Sequence, residues 1–246
     1  MTDLSHLDKL ILYTDCPSFG DYLMMNNLPE LFYKKYGKYS YISDKCIFHN
    51  NETYDLIFGT NPFVKGKIDE YYNVLVDCRC PNFNVWQPKI YQERFGFFGE
   101  NEIPKIYYKP KKLKKLKDNI LFDIRARTYS GLVGNAVNRG NSLLNDIELT
   151  DKKIYVLEYE QDDPTINKSL PNKNYEVIKI KNLFEYCDVL NSVSYYIGIN
   201  SGTALTAVSI KEYYNKNLNI YYITPPHNKV FMEEIGIHQL MMIKLE

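Results

Sequence analysis

Two stretches place residues capable of chemistry where a strand should give way to a helix. In ILYTDCPSFGDYLMM, residues 11–25, Gly20 lets the backbone turn and Asp21 falls at a helix N-terminus. A carboxylate there would be held ionised by the helix dipole and by unpaired backbone N–H groups. Asp21 is therefore either an ordinary capping aspartate or a general base facing a cleft. In LFEYCDVLNSVSYYIGINSGTALTAVS, residues 183–209, a helix leads into an apolar strand that ends in Asn200, Ser201 and Gly202, with Thr203 opening the next helix. Small residues before a helix let backbone N–H groups approach a phosphate closely. The segment thus reads equally as a diphosphate cradle or as a tight turn capped by Ser201.

Further candidates come from DIRARTYSGLVGN and KIYVLEYE. Arg125 and Arg127 stand two positions apart at a strand end, so their side chains share a face. Guanidinium forks suit phosphate oxygens, though a solvated salt-bridging pair fits the same pattern. Glu158 and Tyr159, after a strand, are candidates to meet a nucleotide base. His227, beside Pro225 and Pro226, follows the last strand, where a cleft would lie or where a lone loop histidine would face solvent. Trp86, Phe83 and Tyr91 fit core packing better than stacking on a sugar ring.

The elements that must position these residues follow from the hydropathy pattern. Short apolar runs rich in β-branched and aromatic residues alternate with amphipathic stretches, the signature of parallel strands joined by crossover helices, so the fold class is α/β. Strands are expected at Lys9–Tyr13, Tyr39–Ile42, Leu56–Phe58 and Asn73–Asp77. One helix from Asp21 to Tyr36, kinked at Pro29 and ended by Gly37, and another over Pro88–Phe98 complete the first half. The lysine-dense YKPKKLKKLKD, residues 108–118, reads as a linker, with contact to anionic lipid or an acidic acceptor as the alternative. The pattern then restarts: a strand at Asn119–Ile124, a polar loop rich in glycine and arginine, strands at Lys153–Leu157 and Tyr175–Ile178, a helix at Leu183–Val193, a strand at Ser194–Ile199, a helix at Gly202–Tyr214 and a strand at Asn219–Ile223. Two Rossmann-like lobes are expected, residues 1–112 and 113–246.

Composition narrows the function. Over 246 residues, 30 basic and 30 acidic side chains give zero formal charge, which disfavours nucleic acid as the main partner. The five cysteines (Cys16, Cys46, Cys78, Cys80 and Cys187) lack paired CxxC spacing for zinc and read as reduced structural thiols. No signal-peptide pattern and no long apolar run is present, so a soluble, cytoplasmic protein is expected. Neither lobe's first strand leads into a GxGxxG turn, which weakens a dinucleotide-dependent oxidoreductase.

Two segments resemble glycosyltransferase family nine, the heptosyltransferase-like enzymes of the GT-B fold that move ADP-heptose and related sugars onto lipopolysaccharide. Phe19, Gly20, Asp21 and the apolar run to Tyr36 with Pro29 are similar to the family's opening strand, loop and Gly-Asp helix. Gly198 to Ala207 takes the place of its Asp-Ser/Thr-Gly motif, and Gln87 to Tyr107 looks like the stretch closing its first lobe. Asn200 stands where the family has aspartate, and Leu205 where it has histidine. The resemblance implies two Rossmann-like lobes facing a central cleft, an acceptor lobe followed by a donor lobe. It implies an inverting transfer from a nucleotide sugar to a glycan or glycolipid, with Asp21 as base and Ser201, Gly202 and Thr203 on the diphosphate. The nucleotide sugar is a co-substrate, and neither a metal nor another cofactor is expected. A GT-B-like protein that only binds a nucleotide sugar or glycan is the alternative, and peripheral membrane contact is compatible with a glycolipid acceptor.

Overall fold

The computed structural model describes residues 3–15, 18–48, 50–76, 87–99, 103–126, 130–145, 149–160, 167–199 and 201–223. The chain divides into two compact units, Met1–Lys109 and Pro110–Glu246. Among the described residues no helix is long and apolar enough to cross a membrane.

The first unit runs β1 (Leu10–Tyr13), α1 (Phe19–Met24), α2 (Leu28–Tyr36), β2 (Ser40–Ser43), α3 (Asn51–Tyr54), a π-helical turn (Asp55–Gly59), β3 (Val64–Ile68), β4 (Val74–Leu75) and α4 (Gln87–Arg94). Its sheet has the order β3-β2-β1-β4 and all pairings are parallel. Leu10, Ile11 and Leu12 are successive and all buried, as expected of a parallel strand covered on both faces.

Three expectations for this unit change. The helix foreseen from Asp21 to Tyr36 is two helices, and Pro29 sits in the first turn of the second, where its missing N–H costs nothing. The break falls at Asn26 and Asn27, whose side chains bond the segment 103–105. Asn27 Nδ2 donates to the Ile103 carbonyl at 2.8 Å and its Oδ1 accepts from Lys105 N at 2.9 Å. Asn26 Nδ2 donates to the Lys105 carbonyl at 2.5 Å, while Asn61 Nδ2 donates to Asn26 Oδ1 at 2.9 Å. Leu56–Phe58 is the π-helical turn and not a strand, because a short apolar run carries no period that separates strand from buried helix. Asn50 decides the matter by accepting from Thr53 N and so capping the helix before it. Helix α4 ends at Arg94, short of Phe98. Gly37, at φ 69°, closes α2 in the left-handed conformation that glycine adopts without strain.

The second unit begins with a 3-10 turn (Lys114–Leu116). It continues β5 (Ile120–Ala126), α5 (Ser130–Leu143), β6 (Ile154–Tyr159), β7 (Asn167–Ser169), β8 (Glu176–Ile180), α6 (Leu183–Leu190), β9 (Tyr195–Ile199), α7 (Gly202–Tyr213) and β10 (Asn219–Ile223). Five strands form a parallel path β10-β9-β5-β6-β8, and β7 pairs antiparallel with the end of β5. Numbered along this unit, the path is the doubly wound order 3-2-1-4-5 read from β8. Its core joins Phe122 and Ile124 of β5 to Val156, Ile197, Ile199, Tyr221 and Ile223.

The glycine-rich loop foreseen after β5 is the 14-residue helix α5. A Cβ on Gly140 would lie 2.8 Å from side-chain atoms of both Phe122 and Ile124, so glycine lets this helix lie close on the strand. The lysine-rich stretch is also more than a solvated tether. Lys111 N donates to Asp188 Oδ1 at 2.7 Å, Leu113 N donates to Ser192 Oγ at 2.7 Å, and Asn191 Nδ2 donates to the Pro110 carbonyl at 2.9 Å. Leu116 is fully buried, so the backbone is laced to the end of α6 while most of the lysines face water.

Candidate functional site

In an open parallel sheet, a crevice forms outside the carboxyl ends of two neighbouring strands whose crossovers leave in opposite directions. In the second unit those strands are β5 and β9, aligned through Asp123 and Gly198. The chain past β9 turns into α7 at Ser201, an extended residue whose Oγ accepts from Ala204 N at 3.4 Å. Ser201 Oγ also donates to the Ile199 carbonyl at 3.1 Å and lies 2.7 Å from Thr203 Oγ1. Ser201 is thus a helix cap, and Ser201, Gly202 and Thr203 are half-buried at the mouth of the crevice. The cap places the first-turn N–H groups of α7 at the carboxyl end of β9, and groups of that kind can meet an anion.

Arg125 stands at the end of β5 with its guanidinium Nε bonded to Asp123 Oδ1. Their side chains are 13% and 1% exposed, so this is a buried ion pair. Asp123 Oδ2 accepts the Tyr186 hydroxyl at 2.9 Å. Burial, reinforced by the Asp123 charge, pushes the Tyr186 phenol well above its ordinary range, which keeps it a hydrogen-bond donor. No sequence motif singles out Asp123. The available signal was an acidic residue inside the apolar run ILFDI, which a buried strand tolerates only with partners.

Glu158 and Tyr159 end β6, next to β5, at the same carboxyl edge of the sheet. Glu158 is exposed and lies 3.8 Å from Lys179 Nζ on β8, and Tyr159 is half-buried. Arg127, Asn200 and His227 lie outside the described residues, as do Trp86 and Phe83, whereas Tyr91 is buried in the first unit.

The first unit has its own switch point between β1 and β4, and the loop after β1 leads to Asp21. Asp21 is the third residue of α1 and not its cap. Ser18 is the cap: Asp21 N donates to Ser18 Oγ at 3.4 Å, and Ser18 Oγ donates to Asp21 Oδ2 at 2.5 Å. Gly20, beside it, is buried. The expectation that the helix terminus holds this carboxyl ionised is reversed. Burial raises it above its ordinary 3.8 and outweighs the two Ser18 hydrogen bonds that would lower it. The outcome is a carboxylate with a heightened affinity for a proton. Among the described residues, no three His, Cys, Asp or Glu side chains converge as a metal site would require.

No protein-family model matches the chain, and no curated protein matches it in sequence. Among solved structures it is similar to the dodecameric iron-containing heptosyltransferase TibC in complex with ADP-D-beta-D-heptose. The TM-score is 0.57 at 13% identity, over 92% of this chain and 61% of that one. TibC from enterotoxigenic E. coli H10407 gives a TM-score of 0.55 over the same shares. A glycosyl transferase of family 9 from Veillonella parvula DSM 2008 gives 0.57 at 11% identity, over 98% of this chain and 86% of that one. The chain therefore spans 61% of the length of TibC. At these identities the likeness is one of fold: each of the two units has a Rossmann-like parallel sheet, and the α/β fold is similar to that of these solved glycosyltransferases.

Proposed function

We propose that the protein is an inverting glycosyltransferase that takes a sugar from a nucleotide sugar without needing a metal, with a glycan or glycolipid as acceptor. The observation that supports this most is at the carboxyl edge of β5 and β9: a buried carboxylate holds Arg125 and is linked through the Tyr186 hydroxyl to the first turn of α7, which Ser201 caps. Guanidinium N–H groups and helix N-terminal N–H groups together suit the negative charge that develops on a departing nucleoside diphosphate. On this reading residues 113–246 form the donor lobe, with Ser201, Gly202, Thr203 and Arg125 on the diphosphate. Residues 1–112 form the acceptor lobe.

The reaction is a single displacement. An acceptor hydroxyl oxygen attacks the anomeric carbon as the bond from that carbon to the diphosphate oxygen breaks, the bonding pair leaving with the diphosphate. Asp21 takes the hydroxyl proton. A carboxylate whose burial strengthens its hold on a proton is a better base than a solvated one. The solved structures with this fold include one in complex with ADP-D-beta-D-heptose, which supports a nucleoside diphosphate in the donor role.

The test is a melting-temperature screen of the full chain against ADP, UDP, GDP and CDP and their common sugars, since a ligand of the native state raises the midpoint. A rise with one diphosphate, followed by Asp21-dependent transfer or donor hydrolysis with inversion, is the expected result. A rise without turnover would favour a protein that binds a nucleotide sugar and does not transfer it. Retained configuration in the product would rule out the single displacement.

A further inference from the structure

A polar cluster lies buried beneath the start of α7, and Asp123 is its centre. Its two oxygens serve different elements: Oδ1 accepts from Arg125 Nε on β5, and Oδ2 accepts the hydroxyl of Tyr186 on α6 at 2.9 Å. The same hydroxyl lies 3.3 Å from the carbonyl of Thr203 in the first turn of α7, so its one proton is shared between a near and a far acceptor. The guanidinium carbon of Arg125 stands 5.9 Å from the centre of the Tyr186 ring. A carboxylate 1% exposed is costly to bury unless its charge and lone pairs are answered. Here the groups answering it lead to the two parts of the cradle, the arginine and the helix start.

We propose that Asp123 is the positioning residue of the donor site, an inference that rests on the donor reading above. Through Nε it fixes the plane of the Arg125 guanidinium. Through Tyr186 it ties that guanidinium to the first turn of α7. The two anion-binding elements are then held in one geometry before the diphosphate arrives, and little reorganisation opposes binding. Asp123 itself does not touch the ligand, since a carboxylate in contact would repel it.

Titration of inorganic pyrophosphate, and of the diphosphate selected by melting, tests this on the full chain. The proteins are wild type, Asp123→Asn, Tyr186→Phe, Arg125→Gln and the pairings of Arg125→Gln with each of the other two. Asp123→Asn and Tyr186→Phe should each weaken pyrophosphate binding about ten-fold, with unchanged far-ultraviolet circular dichroism. In the Arg125→Gln background the same substitutions should add less than about two-fold. A merely structural role for Asp123 would not produce that coupling. Undiminished affinity in folded Asp123→Asn, or an equal loss in both backgrounds, would overturn the proposal while the donor reading stands. If Asp123→Asn does not fold, Tyr186→Phe decides by the same comparison. A wild-type protein that binds neither pyrophosphate nor any of the nucleoside diphosphates would overturn the donor reading, and this inference with it.

Discussion

The ring of Tyr196 occupies the space that a side chain at Gly198 would need, with its Cε1 2.6 Å from where a Cβ would stand. The two residues are next-but-one neighbours on β9, so they face the same side of the sheet. Tyr196 is fully buried, and its hydroxyl lies close to Tyr186 and Thr203 without a well-directed hydrogen bond. Gly198 is therefore what leaves room for the buried Tyr196 ring.

Gly198→Ala should destabilise the protein by about 1–3 kcal/mol through overpacking. Gly198→Ala with Tyr196→Leu should recover a large part of that loss. Denaturant melts of the single and double variants check the pair, and an unchanged midpoint for Gly198→Ala would show that the strand yields at no cost.

Asp21→Asn should lower transfer by about 100-fold or more while leaving diphosphate binding intact. Its effect on stability has a defined sign. The folded-state carboxyl titrates above its ordinary 3.8, so the native protein holds this proton more tightly than the unfolded chain does. The charge costs stability as pH rises through that raised range, and the amide removes the cost. The variant should thus melt no lower than wild type at neutral pH. The wild-type rate should rise with pH through an apparent value above 3.8.

Ser201→Asp separates the helix cap from the proposed diphosphate contact. Aspartate caps helices as well as serine, so the melting temperature should hold, whereas its charge should repel a diphosphate at the helix start. Ser201→Ala should do the reverse in part, losing about 1 kcal/mol of stability with the cap. Chemical melts combined with nucleotide titration read both effects, and loss of fold in Ser201→Asp would count against the separation.

Glu30 links α2 to Tyr107. Burial alone would raise its carboxyl, but the Tyr107 hydroxyl, the Lys34 hydrogen bond and the Lys105 and Lys34 charges outweigh it and hold it below its ordinary 4.5. A depressed carboxyl contributes stability that is present above its unfolded value and lost as pH falls through its folded one. Glu30→Gln should therefore melt lower than wild type at neutral pH. The gap should close as the pH is taken below about 4.5 in a melting series.

Asn27→Ala should cost about 1–3 kcal/mol, because the Ile103 carbonyl and the Lys105 N–H lose their partner in one substitution. Urea unfolding measures it, and a loss under half the lower figure would mean that water replaces the side chain readily.

The alternation of apolar runs with amphipathic stretches determined that the chain is α/β, and it located most strands to within a residue or two, because burial on both faces of a parallel sheet imposes that pattern locally. Local chemistry likewise marked Gly37 as a helix stop and Ser201 as a cap. Tertiary structure decided the rest. The helix through Pro29 breaks because Asn27 finds Lys105, 78 residues along the chain. Asp123 has its role only because Tyr186, 63 residues away, returns to it. Asp21 holds its proton more tightly because the fold buries it, a cause that lies outside any helix-terminus rule. Periodicity records which residues leave water. Which partners they meet there depends on contacts between residues far apart in the chain, and the hydrogen bonds and proton affinities of the site follow from those contacts.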